Sequence, residues 1–141
     1  MDRRLAAVVL ALSVCIGGRP ATAHHSFAAQ YDRDRPVTLK GVVTRIEWMN
    51  PHVYFYLDVK DDSGATAHWA IEGGAPTSLY RAGWRKDALK VGDAVTVHGY
   101  LARDGSKLAN MRAAILADGR EVLGGQQYYG PGAPTTKPPG Q

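Results

Sequence analysis

The sequence predicts an all-β protein, a small five-stranded OB-like Greek-key barrel with one short helix between strands three and four. Short segments alternate between apolar and polar residues with a period of two, and Gly- and Asp-rich turn signals separate them. A single Pro-initiated segment interrupts the series after the third strand, which is where an OB-type barrel carries its helix. A small β-sandwich is the alternative architecture for the same pattern.

The segment 52–60 (HVYFYLDVK) carries the clearest strand pattern in the chain. The residues expected to face the core are Val53, Phe55, Leu57 and Val59. Those expected on the opposite face are His52, Tyr54, Tyr56 and Asp58. A hairpin turn signal at 61–64 leads to a strand at 65–72. In that strand we expect Ala67, Trp69 and Ile71 inward and His68 and Glu72 outward.

The other elements are predicted on either side of this hairpin. The segment 37–48 alternates around Gly41, where a β-bulge is expected to shift the parity. The segment 76–84 begins with proline and is expected to hold the short helix. Strands within 89–102 and 107–119 complete the set. The inward residues expected in the first of these two are Val95, Val97 and Leu101.

The N-terminus has the three-part pattern of a secretory signal peptide. Arginines precede an uncharged apolar run at 5–18, and Ala21-Thr22-Ala23 supplies the small residues of a cleavage site. The run is short for a membrane-spanning helix, which needs about 20 residues. We therefore expect cleavage after Ala23, a periplasmic or secreted protein, and no membrane span in the mature chain. Lipoprotein processing at Cys15 is a disfavoured alternative, because Val14 stands where a small residue is required.

Composition divides the remaining chain into three parts. Residues 24–36 are polar with scattered aromatics and are expected to form an N-terminal arm, whereas 37–123 form the folded domain. The Gly- and Pro-rich tail at 124–141 is expected to be disordered. Signal cleavage removes the only cysteine, so no disulfide is expected. The formal net charge of +4 includes no concentrated basic run, and with export this argues against a nucleic-acid partner.

Several segments resemble a family of small exported bacterial proteins that is catalogued as a domain of unknown function. The segments are AHHSF, WMNPHVYFYLDVKD, WAIEGGAP, the Gly-Trp at 83–84, LKVGDAVTVHGY and LADGREV. The resemblance covers about residues 22–123, and HHSF and Asn-Pro-His are its most specific parts. It implies an exported β-rich domain without an established activity. It also implies that His68 and His98, where the family has other residue types, are poorer candidates for a shared site.

Two adjacent histidines at the expected mature start give the strongest chemical signal. Cleavage after Ala23 would leave a free α-amine on His24, which can chelate a metal ion together with the imidazole of the same residue. His25 or His52 would supply a further nitrogen, and nitrogen-rich tetragonal sites favour Cu(II). The alternative is a local chelate by the first two histidines without help from the fold.

Glu72 is a candidate carboxylate for the same site, as a ligand or as the acceptor of a histidine N–H. His68 and His98 are reserve candidates, because both are expected on outward faces. The plain alternative is that the paired histidines are polar arm residues that bind no metal.

Aromatic residues suggest a second hypothesis, in which an outer face stacks against an oligosaccharide, a peptide or another ligand. The candidate residues are Trp48, Tyr54, Tyr56 and Tyr100. Such a protein would be a metal-free ligand- or protein-binding module, or an accessory subunit of an envelope complex. Structural packing of these rings is the simpler explanation, since aromatic residues favour strands.

The sequence favours a binding protein over an enzyme. It contains no nucleophile elbow and no phosphate-cradling glycine loop. Glu47, Asp58 and Glu72 fall on separate predicted strands, with no spacing typical of an acid–base pair. The leading hypothesis is therefore a small exported Cu(II)-binding protein that acts in carriage or sequestration.

Overall fold

A computed structural model describes residues 27–125 of the chain, and the predicted signal peptide and most of the predicted tail lie outside this range. The elements in chain order are α1 (Phe27–Gln30), β1 (Tyr31–Glu47), β2 (Tyr54–Lys60), β3 (Thr66–Glu72), α2 (Pro76–Arg81), β4 (Ala94–Ala102), β5 (Leu108–Ile115) and β6 (Glu121–Leu123). The predicted all-β class is confirmed. The expected helix, α2, lies between the third and fourth strands.

The strands form one six-stranded sheet in the order β3-β2-β1-β4-β5-β6. Neighbours in this order are antiparallel. In addition, residues 70–72 of β3 pair in parallel with residues 108–110 of β5. Each of the first five strands therefore pairs with at least two others.

The core lies on the face that the alternation of β2 predicts. Val53, Phe55 and Leu57 are buried, and Ile71 of β3 is buried beside its register partner Phe55. Val59 and Trp69 are half-buried against the same cluster. The inward faces predicted for the two strands of this hairpin are thus confirmed.

The register shifts between the paired strands lie at positions other than the one that the sequence predicts. The register of β1 shifts between Val43 and Arg45, whereas Gly41 pairs regularly with both neighbouring strands. A Cβ on Gly41 would lie 2.6 Å from the carbonyl oxygen of Asp58, so glycine permits a close approach of β2 rather than a bulge. The pairing of β4 with β5 shifts register between His98 and Gly99, and Leu101 is half-buried instead of buried.

The helix α2 begins with Pro76 and ends before Gly83, as predicted. Gly83 adopts a φ of +97°, a conformation that favours glycine where a chain leaves a helix. The buried side chain of Trp84 follows, and its Nε1 donates a hydrogen bond to the carbonyl oxygen of Leu123 at 2.8 Å. Neither described helix has the length and hydropathy needed to cross a lipid bilayer.

The folded region extends beyond both predicted boundaries. Strand β1 starts at Tyr31, six residues before the expected start of the domain, and the Tyr31 side chain is buried. At the other end, β6 is a strand that the sequence did not predict. Gly124 continues it, because its N–H donates to the carbonyl oxygen of Arg112 and its own carbonyl accepts from the N–H of Gly74. A Cβ on Gly124 would overlap the carbonyl oxygen of Met111.

Candidate functional site

A buried carboxylate, Glu72, marks the end of β3 where three strands meet. Its register partners are Tyr54 in β2 and Asn110 in β5. Directly paired residues share one face of a sheet, so the side chains of Tyr54 and Glu72 lie next to each other. The chain enters β2 through the cis peptide Asn50-Pro51, and His52 follows it beside the same carboxylate.

Three side chains converge on the two oxygens of Glu72 and form the Glu72 cluster, which consists of Glu72, His52, Tyr54 and Tyr31. The Oε1 atom lies 2.7 Å from the Nδ1 of His52. The Oε2 atom accepts a hydrogen bond from the hydroxyl of Tyr54 at 2.9 Å and another from the hydroxyl of Tyr31. Glu72 is only 4% exposed, so these donors replace the water that would otherwise solvate its charge.

The expectation that Glu72 faces solvent is therefore wrong. The alternation of β3 correctly places Glu72 on the face opposite Ile71. That face is covered at this end of the strand, because Tyr31 and Tyr54 lie over the carboxylate. Tyr31 belongs to the segment that the sequence assigned to an extended arm, so its contribution to the burial of Glu72 was not foreseen.

His52 is held on one side and open on the other. Hydrogen bonds on both sides of Val53 fix the adjacent backbone, from the Val53 N–H to the Gly74 carbonyl at 3.0 Å and from the Gly73 N–H to the Val53 carbonyl at 2.8 Å. The His52 side chain is 30% exposed. Because Nδ1 faces a carboxylate, we assign the ring hydrogen to Nδ1. In the neutral ring Nε2 then carries the lone pair, and it makes no hydrogen bond to any residue within 27–125.

Burial and the neighbouring charge keep Tyr54 of this cluster protonated. Burial raises the pKa of the Tyr54 hydroxyl well above its ordinary value, and the negative charge of Glu72 raises this pKa further. Tyr54 therefore remains a hydrogen-bond donor to Glu72 throughout the physiological pH range.

A second carboxylate–tyrosine group lies on the neighbouring part of β1 and β2. This Glu47 cluster consists of Glu47, Tyr56 and Arg45. The Tyr56 hydroxyl donates to Oε2 of Glu47 at 3.0 Å, and Arg45 lies 3.3 Å from Oε1. The Arg45 guanidinium also lies 3.8 Å from the centre of the Tyr56 ring. Burial, followed by the hydrogen bond to Glu47, raises the pKa of Tyr56.

The four aromatic residues proposed as a ligand face have different neighbours in the structure. Tyr54 and Tyr56 share a face of β2, where each is engaged by a carboxylate. Trp48 packs toward the core, with its ring centre 6.5 Å from that of Trp84. Tyr100 contacts Phe27 edge to face, with ring centres 5.8 Å apart.

The reserve histidines lie apart from the Glu72 cluster. His68 precedes Glu72 by four residues in β3, which corresponds to about 13 Å along a strand. Its Nδ1 lies 2.6 Å from Asp58, on a side chain that is 82% exposed. The Nδ1 of His98 lies 3.0 Å from the Thr38 hydroxyl on the opposite part of the sheet. Neither histidine meets His52.

His24 and His25 lie outside the described residues, so the structure does not test their proposed role. Among residues 27–125, no three His, Cys, Asp or Glu side chains are grouped so that they could hold a metal ion. Of the predicted site residues within 27–125, the structure brings His52, Glu72 and Tyr54 together.

Sequence reasoning missed Tyr31, which is 2% exposed and donates to Glu72. The one available signal was a large aromatic residue within a strongly charged stretch, since Asp and Arg follow it directly. A large aromatic side chain at this position indicates packing against the fold rather than an exposed arm. Asn110 was also missed, although it is fully buried and pairs in register with Glu72.

The described residues define a small β-sheet protein with a buried carboxylate that holds a half-open histidine. Within this class, the chain belongs to DUF6152, a family of unknown function, which it matches over residues 11–111. No curated protein matches the sequence. The family assignment agrees with the resemblance noted above and brings no activity with it.

Proposed function

We propose that the protein is an exported metal-binding protein that holds Cu(II) between its mature N-terminus and His52. His24 would contribute its α-amine and imidazole, His25 a further nitrogen, and His52 its Nε2. The role is carriage or sequestration. The observation that carries the proposal is the 2.7 Å contact between His52 Nδ1 and the buried Oε1 of Glu72.

This contact is the arrangement expected for a histidine that binds metal. Metal-ligating histidines usually donate their second ring N–H to a carboxylate or carbonyl, which fixes the tautomer and strengthens the ligating nitrogen. His68 makes a similar contact with Asp58, but both side chains are exposed, at 82% and 38%. Solvent competes for that pair, whereas the tyrosines hold Glu72 in place beneath His52. His68 is therefore a suitable control.

The path of the chain supports a contribution from the N-terminus. The Phe27 ring centre lies 5.5 Å from that of Tyr31, whose hydroxyl donates to the carboxylate that contacts His52. His25 precedes Phe27 by two residues, and two residues span at most about 7 Å. The tether between the N-terminal ligands and the Glu72 cluster is therefore short.

The proposed architecture is a five-stranded OB-like Greek-key barrel formed by β1 to β5. The parallel pairing of β3 with β5 supports it, because this pairing joins strands that the linear order of the sheet separates. A fold of this type does not by itself assign a function, so the metal site is argued from the histidines and the Glu72 contact.

The direct test is a Cu(II) titration of the mature chain against a competing chelator. Acetylation of the His24 α-amine should weaken binding at least about tenfold, since it removes the chelating amine. His52→Ala should weaken binding as well, whereas the control His68→Ala should leave it unchanged.

Each contrary result has a distinct meaning. Unchanged affinity after acetylation would exclude the N-terminal site. Unchanged affinity in His52→Ala, together with a loss in the acetylated chain, would show a local chelate by His24 and His25. A mature chain that does not bind copper would leave the metal-free binding module as the better hypothesis.

A further inference from the structure

A positively charged segment, residues 80–91 (YRAGWRKDALKV), covers the end of α2 and part of the connection to β4. Four of its side chains are exposed cations, namely Arg81, Arg85, Lys86 and Lys90. Asp87 is the one acidic residue of the segment, which leaves a net charge of +3 (four cations less one carboxylate). Within residues 27–125, no acidic side chain forms a salt bridge with any of these four cations.

Buried apolar residues attach this segment to the core. Trp84 and Leu89 are both buried. The backbone is held as well, because the Trp84 N–H donates to the carbonyl of Leu79 at 3.0 Å and the Lys90 N–H donates to Oδ2 of Asp93 at 2.8 Å. The chain contains no unbroken basic run because apolar residues interrupt the cations. The structure buries the interrupting tryptophan and leucine and leaves the cations at the surface.

Exposed apolar side chains accompany the cations. Tyr80 and Val91, at the two ends of the segment, are each more than half exposed. The Arg85 guanidinium lies 4.1 Å from the centre of the Tyr80 ring, and its Nη1 donates to the carbonyl of Trp84 at 2.7 Å. The segment therefore combines cations with exposed apolar side chains, which are the two features with which proteins attach to a lipid surface.

The neighbouring loop between β1 and β2 adds to this surface. Met49 is more than half exposed and follows Trp48, whose ring centre lies 6.5 Å from that of Trp84. Trp48, Trp84 and Lys86 line one small pocket, and among the described residues that line it Lys86 alone is charged. Acidic peptides are recognised by clusters of arginine in grooves or at strand edges. A bilayer surface needs no such groove, so the combination favours a lipid surface.

We propose that residues 80–91, together with Met49, dock the protein on the surface of an anionic lipid bilayer. The lysines and arginines lie against the lipid phosphates. Tyr80, Val91 and Met49 enter the boundary between the headgroups and the acyl chains. The association is peripheral and reversible, and it does not depend on metal binding.

The test is sedimentation of the mature chain with vesicles made of equal parts of phosphatidylcholine and phosphatidylglycerol. Vesicles of phosphatidylcholine alone are the reference. The mature chain is used because it lacks the apolar run at 5–18, which would itself bind lipid. We expect binding to the anionic vesicles at low salt and weaker binding as the salt concentration rises. Equal binding to both kinds of vesicle, or binding to neither, would overturn the proposal.

Charge reversal tests the location of the surface. The double variant Lys86→Glu/Lys90→Glu should lower the affinity for anionic vesicles at least about tenfold, since each basic residue near such a surface strengthens binding about fivefold. The matched control is Lys60→Glu/Lys107→Glu, which changes the net charge equally at two exposed lysines outside the segment. The control should stay within about twofold of the unmodified chain, because salt screens distant charges. Equal losses in the two double variants would contradict the proposed location.

Replacing Tyr80 distinguishes a lipid surface from an acidic protein partner. Tyr80→Ala keeps every cation and should lower the vesicle affinity about threefold, because the apolar contribution of the ring is lost. Unchanged affinity would show attraction by charge alone and would overturn the insertion of apolar side chains. Polyglutamate is the acidic-peptide probe. If the chain binds polyglutamate through Lys86 and Lys90 and does not bind vesicles, the segment docks an acidic protein and the membrane proposal is wrong.

Discussion

The Glu72 and Glu47 clusters are built from similar parts and differ in what balances the carboxylate. Each carboxylate accepts a hydrogen bond from a tyrosine of β2. Glu47 is partly exposed and pairs with Arg45, a permanent cation. Glu72 is buried, and its basic partner is the side chain of His52. Within residues 27–125, no lysine or arginine forms a salt bridge with Glu72.

The difference supports the choice of the Glu72 cluster as the candidate site. A partly exposed carboxylate with an arginine is an ordinary surface arrangement, and its contribution to stability is small. A buried carboxylate needs several donors, and in the Glu72 cluster one of these donors is a half-open histidine. The tyrosines support the carboxylate, and the carboxylate orients the histidine. We therefore regard the Glu72 cluster as the site and the Glu47 cluster as its internal control.

Removing the carboxylate of each cluster in turn should give the largest difference in the free energy of unfolding. Glu72→Ala leaves the Tyr31 and Tyr54 hydroxyls and the His52 N–H without their acceptor, and should lower the free energy of unfolding by about 3 kcal/mol. Glu47→Ala should lower it by less than about 1 kcal/mol. Urea denaturation followed by circular dichroism measures both. Equal losses would contradict the distinction between the clusters, and Glu72→Gln, which keeps one acceptor oxygen, should lie between the extremes.

Replacing the tyrosines of β2 should show the same difference between the two clusters, with smaller losses in the free energy of unfolding. Tyr54→Phe removes a hydrogen bond to a buried carboxylate and should reduce the free energy of unfolding by about 1.5 kcal/mol. Tyr56→Phe removes the corresponding bond at a partly exposed carboxylate and should cost less than about 1 kcal/mol. The same denaturation measurement applies, and a larger loss in Tyr56→Phe would reverse our ranking of the clusters.

The smallest expected effect is a pH dependence on the alkaline side. An unfolded tyrosine titrates near pH 10, and burial together with the Glu72 charge raises the pKa of Tyr54 in the folded chain. A raised folded-state pKa gives a contribution to stability that is complete below pH 10 and is lost as the pH rises above it. Tyr54→Phe should therefore lose less stability between about pH 9 and pH 11 than the unmodified chain. If the free energy of unfolding falls equally with pH in the two proteins, Tyr54 does not contribute to the pH dependence of stability.

The sequence predicted those parts of the fold that local rules determine. The alternation of β2 gave its buried face, and the Pro76 start and Gly83 end gave the position of α2. The bulge was placed at Gly41 because glycine in a strand has two explanations, a bulge or a close approach of another backbone. A single sequence does not reveal which strand lies alongside, so it does not distinguish between them.

The site was predicted only in part, for a related reason. His52 and Glu72 were both proposed, and the structure brings them together. The burial of Glu72 was missed because alternation indicates the face of a strand on which a residue lies, not whether a distant segment covers that face. Here the covering group is Tyr31, 41 residues away in sequence. The contribution of His24 and His25 remains a prediction.

The close contact of Gly124 with the Met111 carbonyl determines where the chain can be joined to another protein. A side chain at position 124 would collide with the backbone of β5, so a linker that replaces this residue would pull β6 away from the sheet. An affinity tag or reporter should therefore follow an intact Gly124-Gly125. Because the proposed metal ligands lie at the opposite terminus, the C-terminal end beyond this pair is the place to attach a fusion partner.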